Sequence, residues 1–206
     1  MEKLREDFYS RSSLIVAKEL LGKILVHNRE GEGQEIWGRI VETEAYKGPS
    51  DKAAHSYNNR RTKRTEVMFG PGGRAYIYFI YGMYDCMNVV CAEENIPEAV
   101  LIRGVEPVKG IEGMSINRYG KDYDSLRKSQ KANLTNGPGK LCRAMGITRK
   151  LNGIDLQGQE LYILDAPNIK YEDIISAKRI GIDYAEEAKD FLWRYYIKDN
   201  PYVSKK

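Results

Sequence analysis

The chain has 206 residues, 42% hydrophobic and 30% charged, enough for one sizeable core and too little apolar material for a membrane-embedded protein. Its longest stretch without Asp, Glu, Lys, Arg or His, Ala75 to Tyr84, is about half a membrane span and carries four tyrosines, so no transmembrane helix is expected. The 33 Lys+Arg against 29 Asp+Glu leave a net charge of +4, which matters only where it is concentrated. Cys86, Cys91 and Cys142 are an odd count that suits buried thiols in a reducing compartment, and with two histidines they give no zinc spacing. No metal or cofactor is expected, and no secretory signal is visible at the N-terminus.

No repeat or linker divides residues 1–206, which read as one domain. Ser12 or Ser13 is placed to cap a helix through Leu14, Ala17, Leu20 and Leu21, stopped by Gly22. Lys23 to His27 begins a strand, the polar stretch Asn28 to Glu35 reads as a hairpin-like connection, and Trp37 to Tyr46 is the next strand. Gly48 to Gly73 is a long loop, a length that is usually functional or mobile. Ala75 to Tyr81 and Asp85 to Ala92 flank Gly82-Met83 as a tight β-hairpin. Ala99 to Val105 is a further strand, broken by Glu106-Pro107. Pro138 opens a short helix that Gly146 ends, Leu161 to Leu164 is a strand, and Asp183 is placed to cap a helix over Tyr184 to Lys189. Strands outnumber helices and hairpins join them. The expected fold is α+β: one mainly antiparallel, curled sheet or partly open barrel with peripheral helices and a protruding β-hairpin.

Strand alternation puts Glu42, Glu44 and Tyr46 on one face and Val41, Thr43 and Ala45 on the other. The face is either an exposed one with cross-strand ion pairs or a carboxylate beside an aromatic stacking platform, as cleavage of a glycosidic bond requires. Alternation also groups Tyr76, Tyr78 and Ile80, while Tyr81 falls at the turn, where its ring projects beyond the sheet. Asn88 lies among Met87, Val89 and Val90 and has to be buried and hydrogen-bonded. Arg103 interrupts an apolar run, so it needs an anionic partner, a carboxylate or a phosphate. Arg60, Arg61, Lys63 and Arg64 form a basic cluster in the long loop; a second basic stretch runs from Arg118 to Lys131. Fifteen tyrosines suit stacking on bases better than contact with lipid.

Taken in order, Val41-Glu-Thr-Glu-Ala-Tyr46, Ala53-Ala-His55, Met68-Phe-Gly-Pro71, Tyr76-Ile-Tyr-Phe-Ile-Tyr-Gly-Met83, Cys86-Met-Asn88 and Leu101-Ile-Arg-Gly-Val-Glu-Pro107 closely resemble the alkyladenine (3-methyladenine) DNA glycosylase family. The resemblance continues through Asn136-Gly-Pro-Gly-Lys-Leu-Cys-Arg143 and Arg179-Ile-Gly-Ile182 to Pro201-Tyr-Val-Ser204. It implies a monofunctional enzyme of base-excision repair that flips a damaged purine out of duplex DNA and hydrolyses its N-glycosidic bond. It matches Glu44 to the carboxylate that activates water, and Arg103 to an arginine beside that water and the flipped nucleotide's phosphate. Tyr46 matches the ring on one face of the base, His55 and Tyr78 the groups on its other side. Tyr81 matches the wedge that fills the duplex, and Asn88 the amide that excludes guanine's exocyclic amine; Tyr76 carries no assigned role.

The physics fits. A wedge and an aromatic sandwich offset the few kcal/mol that base flipping costs, and N-alkylated purines are cations that two π-faces attract. The implied partner is double-stranded DNA holding damaged purines, with no membrane, no obligate protein partner, a monomeric state and a cytoplasmic place, at the nucleoid in a bacterium. Asp85, beside the wedge, is an unexpected acid near DNA phosphate, and any basic N-terminal extension of the kind found in larger relatives is expected to be missing. A non-catalytic nucleic-acid-binding module is the rival: it shares the basic loop and tyrosines but has no need of Glu44. A lyase needs a pocket amine, and the nearest in sequence, Lys47, alternates away from Glu44.

Overall fold

Strand β2 (Glu35–Tyr46) has hydrogen-bonded neighbours along both edges, and the rest of the sheet is built outward from it. One edge pairs with β5 (Glu98–Lys109), the other with β1 (Ile24–Asn28) and then β8 (Arg194–Ile197). The computed structural model describes residues 1–29 and 35–205. With β3 (Ala75–Ile80), β4 (Tyr84–Cys91), β6 (Leu161–Leu164) and β7 (Ile174–Ala177), the order is β3-β4-β5-β2-β1-β6, β8 joining β2 and β7 joining β8. All pairings are antiparallel, and the result is a curled half-barrel sheet with a few helices in one α+β domain.

One face of this sheet makes the core. Ala45, Ile77, Met87, Val89, Val100 and Ile102, alternate residues of β2 to β5, pack with α2 (Ser13–Glu19) and α5 (Pro138–Met145) through Val16, Ala17, Leu141 and Met145. No side chain of α2 caps its start. Instead the Glu98 carboxylate of β5 accepts from the Ser13 N–H (2.8 Å) and hydroxyl (2.7 Å), an acid supplied across the fold to a helix N-terminus.

Several elements depart from the sequence reading. Strand β5 does not break at Glu106-Pro107 but runs on to Lys109 past a bulge; β4 pairs only with residues 98–101, so the missing proline N–H falls on an edge free of β4. Residues 186–190 form a 3₁₀ turn rather than an α-helix over Tyr184 to Lys189, and Asp183 does not cap it. Short α1 (Glu6–Tyr9), α3 (Ile111–Tyr119), α4 (Lys128–Ala132), β7 and β8 were not legible, and the Gly48–Gly73 loop holds three 3₁₀ turns. Asn28 and Glu35 do pair, but residues 30–34 of the expected connection lie outside the described residues. Among the described residues, no helix is long and apolar enough to cross a membrane.

The β3–β4 hairpin closes through Tyr81 (φ 53°) and Gly82 (φ 66°), with the Met83 N–H donating to Ile80 O at 3.2 Å. Positive φ at both central residues is what a type I′ turn demands. A tyrosine held there stores backbone strain, and its ring is 77% exposed at the tip of the hairpin.

Candidate active site

The sheet face opposite the core is a wall of the principal cavity. Register aligns Tyr76 with Asn88, Asn88 with Leu101, and Leu101 with Glu44, one row across β3, β4, β5 and β2. Period-2 neighbours on the same strands add Tyr78, Cys86, Ala99, Arg103 and Tyr46. The cavity, about 730 Å³, is completed by His55 from the long loop, Gly137 to Lys140 at the start of α5, and a strap formed by Ile180, Gly181 and Ile182 with Tyr184. Its character is aromatic, with few polar groups, the usual make-up of a small-molecule site.

Glu44 ends this row and is fully buried. Its Oε2 accepts from the Tyr46 hydroxyl (2.9 Å) and its Oε1 from the Ile180 N–H (2.8 Å), with Arg103 Nη1 3.3 Å from Oε1. Glu42, one position along the same face, is also fully buried and accepts from Arg194 Nη1 (2.9 Å), the Ser204 N–H (2.7 Å) and the Ser204 hydroxyl (3.0 Å). The exposed-face alternative is therefore excluded. Guanidinium groups lie beside both buried carboxylates, Arg103 near the two of them and Arg194 on Glu42, the pairing that burial of an acid calls for. Gly104 makes this possible, since a Cβ there would stand 2.7 Å from the Tyr202 carbonyl oxygen and hold the C-terminal segment off Glu42.

Arg103 finds carboxylate partners rather than needing a phosphate to neutralise it. Its Nε is 3.4 Å from Glu42 Oε1, without hydrogen-bond geometry, and the residue also lines the cavity. Burial works against its charge, but Glu44 and Glu42 outweigh that and raise its pKa. Tyr46 is pushed well above an ordinary phenol by burial and by Glu44, so it remains a donor to that carboxylate.

His55 and Tyr78 meet edge to face, centroids 4.6 Å apart, and His55 Nδ1 pairs with the Tyr76 hydroxyl at 2.9 Å, which gives Tyr76 a place in the site. Burial, then Arg64 and Arg60, lower the His55 pKa to about 4, so the ring is neutral near pH 7. Asn88 is buried and donates through Nδ2 to Tyr76 O at 3.0 Å. Burial raises the Cys86 thiol to about 11, and all three cysteines are free and buried.

Arg60, Arg61, Lys63 and Arg64 are all exposed, yet they are not equivalent. Arg61 is clamped on Glu66 at 2.6 and 3.0 Å and lies 4.8 Å from the Phe69 ring centroid. Arg64 lies over Tyr78, 5.1 Å from its centroid, at the cavity edge. Asp85, expected to oppose DNA phosphate, is paired with Arg149 at 3.2 Å, and Arg149 covers the Phe79 ring at 3.9 Å. Lys47 turns away to Glu98 (2.9 Å), as alternation predicts. The amine on the cavity wall is Lys140, which sequence reasoning missed, donating to Asn133 and Asn136 at 2.8 Å each, its pKa lowered by burial and then by Arg118. Ile180 was also missed, because a backbone N–H leaves no residue-type signal. Among the described residues, no group of three or more His, Cys, Asp or Glu is arranged to hold a metal ion.

Relatives are similar to this chain over its whole length. The chain is 57% identical over 206 residues to a protein of Clostridium novyi (strain NT), covering 100% of both, and 57% identical over 206 residues to one of Desulfitobacterium hafniense (strain Y51), again 100% of both. A Clostridium acetobutylicum protein is 59% identical over 202 residues, 98% of this chain and 97% of its own. Each bears the name "Putative 3-methyladenine DNA glycosylase". Residues 7–201, a span that includes every strand and every cavity-lining residue described above, match the methylpurine-DNA glycosylase family, and the chain belongs to that family.

Proposed function

We propose that this protein is a monofunctional DNA glycosylase that extrudes alkylated or deaminated purines from duplex DNA and hydrolyses their N-glycosidic bond with a water activated by Glu44. Its substrates are 3-methyladenine, 7-methylguanine, hypoxanthine and ethenoadenine. The observation that carries this reading is the Glu44 carboxylate, fully buried, held by two hydrogen-bond donors and an arginine ion pair, all three from residues that line an aromatic cavity. The extruded base lies between Tyr46 on one side and His55 with Tyr78 on the other. Tyr81 fills the space it leaves in the stack, and Asn88 opposes the exocyclic amine of guanine. Glu44 takes a proton as the water oxygen bonds to C1′, and the C1′–N bond breaks with its electron pair going to the base. A cationic N-alkylpurine then leaves as a neutral molecule, so a single carboxylate suffices. Arg103 orients the water and the nucleotide's phosphate.

Purified protein is expected to release free base from duplexes carrying one such lesion and to leave an abasic strand. Specific binding without any release from the whole panel would instead identify a non-catalytic binding module. Lys140, held by two asparagine oxygens, supports hydrolysis over amine chemistry; borohydride should trap no covalent adduct with abasic DNA, and an adduct lost in Lys140→Met would make the enzyme a lyase. The same reading makes duplex DNA the partner of a monomer in the cytoplasm, at the nucleoid in a bacterial cell. Sedimentation as a dimer at working concentration would overturn the monomer.

A further inference from the structure

Arg179 and Asp51 form a buried ion pair that the proposed chemistry does not use. Asp51 is fully buried and Arg179 is 5% exposed, and neither lines the cavity. The pair is bidentate, Nη1 to Oδ2 at 2.5 Å and Nη2 to Oδ1 at 2.8 Å. Arg179 also donates to Ala45 O (2.9 Å), the peptide between Glu44 and Tyr46, and to Ala188 O (3.2 Å). Its guanidinium lies 4.8 Å from the Tyr46 ring centroid and 5.1 Å from that of Trp193. Asp51 in turn accepts from the Lys47 N–H (3.1 Å) and the Ala53 N–H (3.0 Å), fixing the chain on both sides of the turn between β2 and the His55 segment.

A buried ion pair is a poor way to gain stability, since desolvation consumes most of the attraction. What this one has is geometry. The residue after Arg179 is Ile180, whose N–H holds Glu44 Oε1, and Ile180 to Ile182 close the cavity. One side chain thus ties four things together: the strap, the backbone of the catalytic strand, the ring proposed to stack on the base, and the loop that carries His55. A planar fork with five donors can satisfy such a set, and an ammonium cannot.

Resting on the function proposed above, we infer that Arg179, locked by Asp51, is a positioning residue: it sets the Glu44 carboxylate and the Tyr46 ring in register with each other. It acts through those two groups and touches neither base nor DNA. Asp51 has a second consequence. It cancels the charge behind Tyr46, so the ring's π-face keeps its attraction for a cationic base.

The test is single-turnover base release with enzyme saturating a lesion-bearing duplex, because that rate constant does not depend on the fraction of molecules that fold. Arg179→Lys keeps the charge and loses the fork. It is expected to lower the rate constant about ten- to hundredfold, the range for misplaced catalytic groups, while affinity for a duplex with an uncleavable abasic analogue, which has no base to stack, stays within twofold. A rate constant within twofold of wild type would reduce the pair to a structural role and overturn the inference. If Arg179→Lys does not fold, the double exchange Arg179→Gln with Asp51→Asn removes both charges together; the same loss is expected of it, and a rate within twofold of wild type would overturn the inference equally. Asp51→Asn alone is expected to slow release of 7-methylguanine more than that of hypoxanthine, and equal losses would overturn the charge-cancelling role. Wild-type protein that released no base would sink the proposed function; active wild type with an unaffected variant would sink only this inference.

Discussion

The floor of the cavity and its rim are built on opposite principles. At and beneath the floor, Arg103, which lines the cavity, and Glu42, Glu44, Arg179 and Arg194, which do not, are buried, paired and held from several directions. At the rim, Tyr81, Met83 and the Arg60 to Arg64 cluster stand in solvent. A group that moves a proton needs a fixed place and a dry surround, because reorganisation at the moment of reaction costs rate. Groups that meet a polyanion need to stay wet until it arrives, since the gain comes from released counterions. On the function proposed above, the contrast makes the floor the place for chemistry and the rim the place for capture.

The strongest way to break that assignment is Glu44→Gln, which keeps the side chain's shape and removes its capacity to accept a proton. Base release is expected to fall about 10²-fold or more, with lesion-duplex affinity retained, because the rim is untouched. The loss should be largest for neutral lesions such as hypoxanthine, whose departure is harder. Release near the wild-type rate would move the chemistry off Glu44.

Tyr81→Ala tests the rim in the same terms. The ring, held at φ 53° in the turn, has no packing duty that burial would reveal. Its loss is expected to weaken action on a paired lesion by roughly 1–3 kcal/mol, the worth of one stacked ring, and to spare a lesion that is already unpaired. Equal losses on both substrates would make Tyr81 a hairpin-packing residue.

The same contrast separates what the sequence could and could not reveal. Period-2 alternation in β2 to β5 placed Glu42, Glu44 and Tyr46 together, and likewise Tyr76, Tyr78 and Ile80, because alternation is a local property of a strand. Whether that face was wet or dry was not local. It is decided by Arg194, Ser204 and the Ile180 N–H, all more than a hundred residues further along the chain. The helix expected over Tyr184 to Lys189 failed for a related reason: Glu186 takes φ 47° where the chain turns, and the segment is held by Arg179 reaching Ala188 O rather than by its own periodicity. Strands β7 and β8 have four residues each, too short to carry a pattern.

His55 stands between floor and rim, and its titration sharpens the boundary. Burial, Arg64 and Arg60 hold its folded-state pKa near 4, below the ordinary value of 6.5. The unfolded chain therefore binds the extra proton first. The stability that neutral His55 contributes is complete above about pH 6.5 and is lost as pH falls from there towards 4, levelling off below. The limit for one proton is about 1.4 kcal/mol per pH unit, and the ring's partial solvent access lowers it. Denaturant titrations of wild type and His55→Gln should show the difference shrinking towards acid; parallel curves from pH 7 to 4 would place His55 in the solvated rim.

The smallest effects belong to the basic loop, and there the structure divides residues that the sequence left equal. Neutralising a cation that touches a phosphate is expected to reduce the salt slope of duplex binding by about one unit. Arg60, Lys63 and Arg64 are the candidates for such contacts on the function proposed above, since among the described residues no carboxylate pairs with them. Arg61 already has Glu66 in a two-point clamp, so releasing it for DNA would leave that carboxylate facing the phosphates. Arg61→Gln should accordingly change the slope by clearly less than the other three single substitutions. Binding measured from low to moderate salt for all four variants decides the matter. An equal reduction at every position would show the clamp opening on DNA, and no reduction anywhere would return the whole cluster to an ordinary solvated loop.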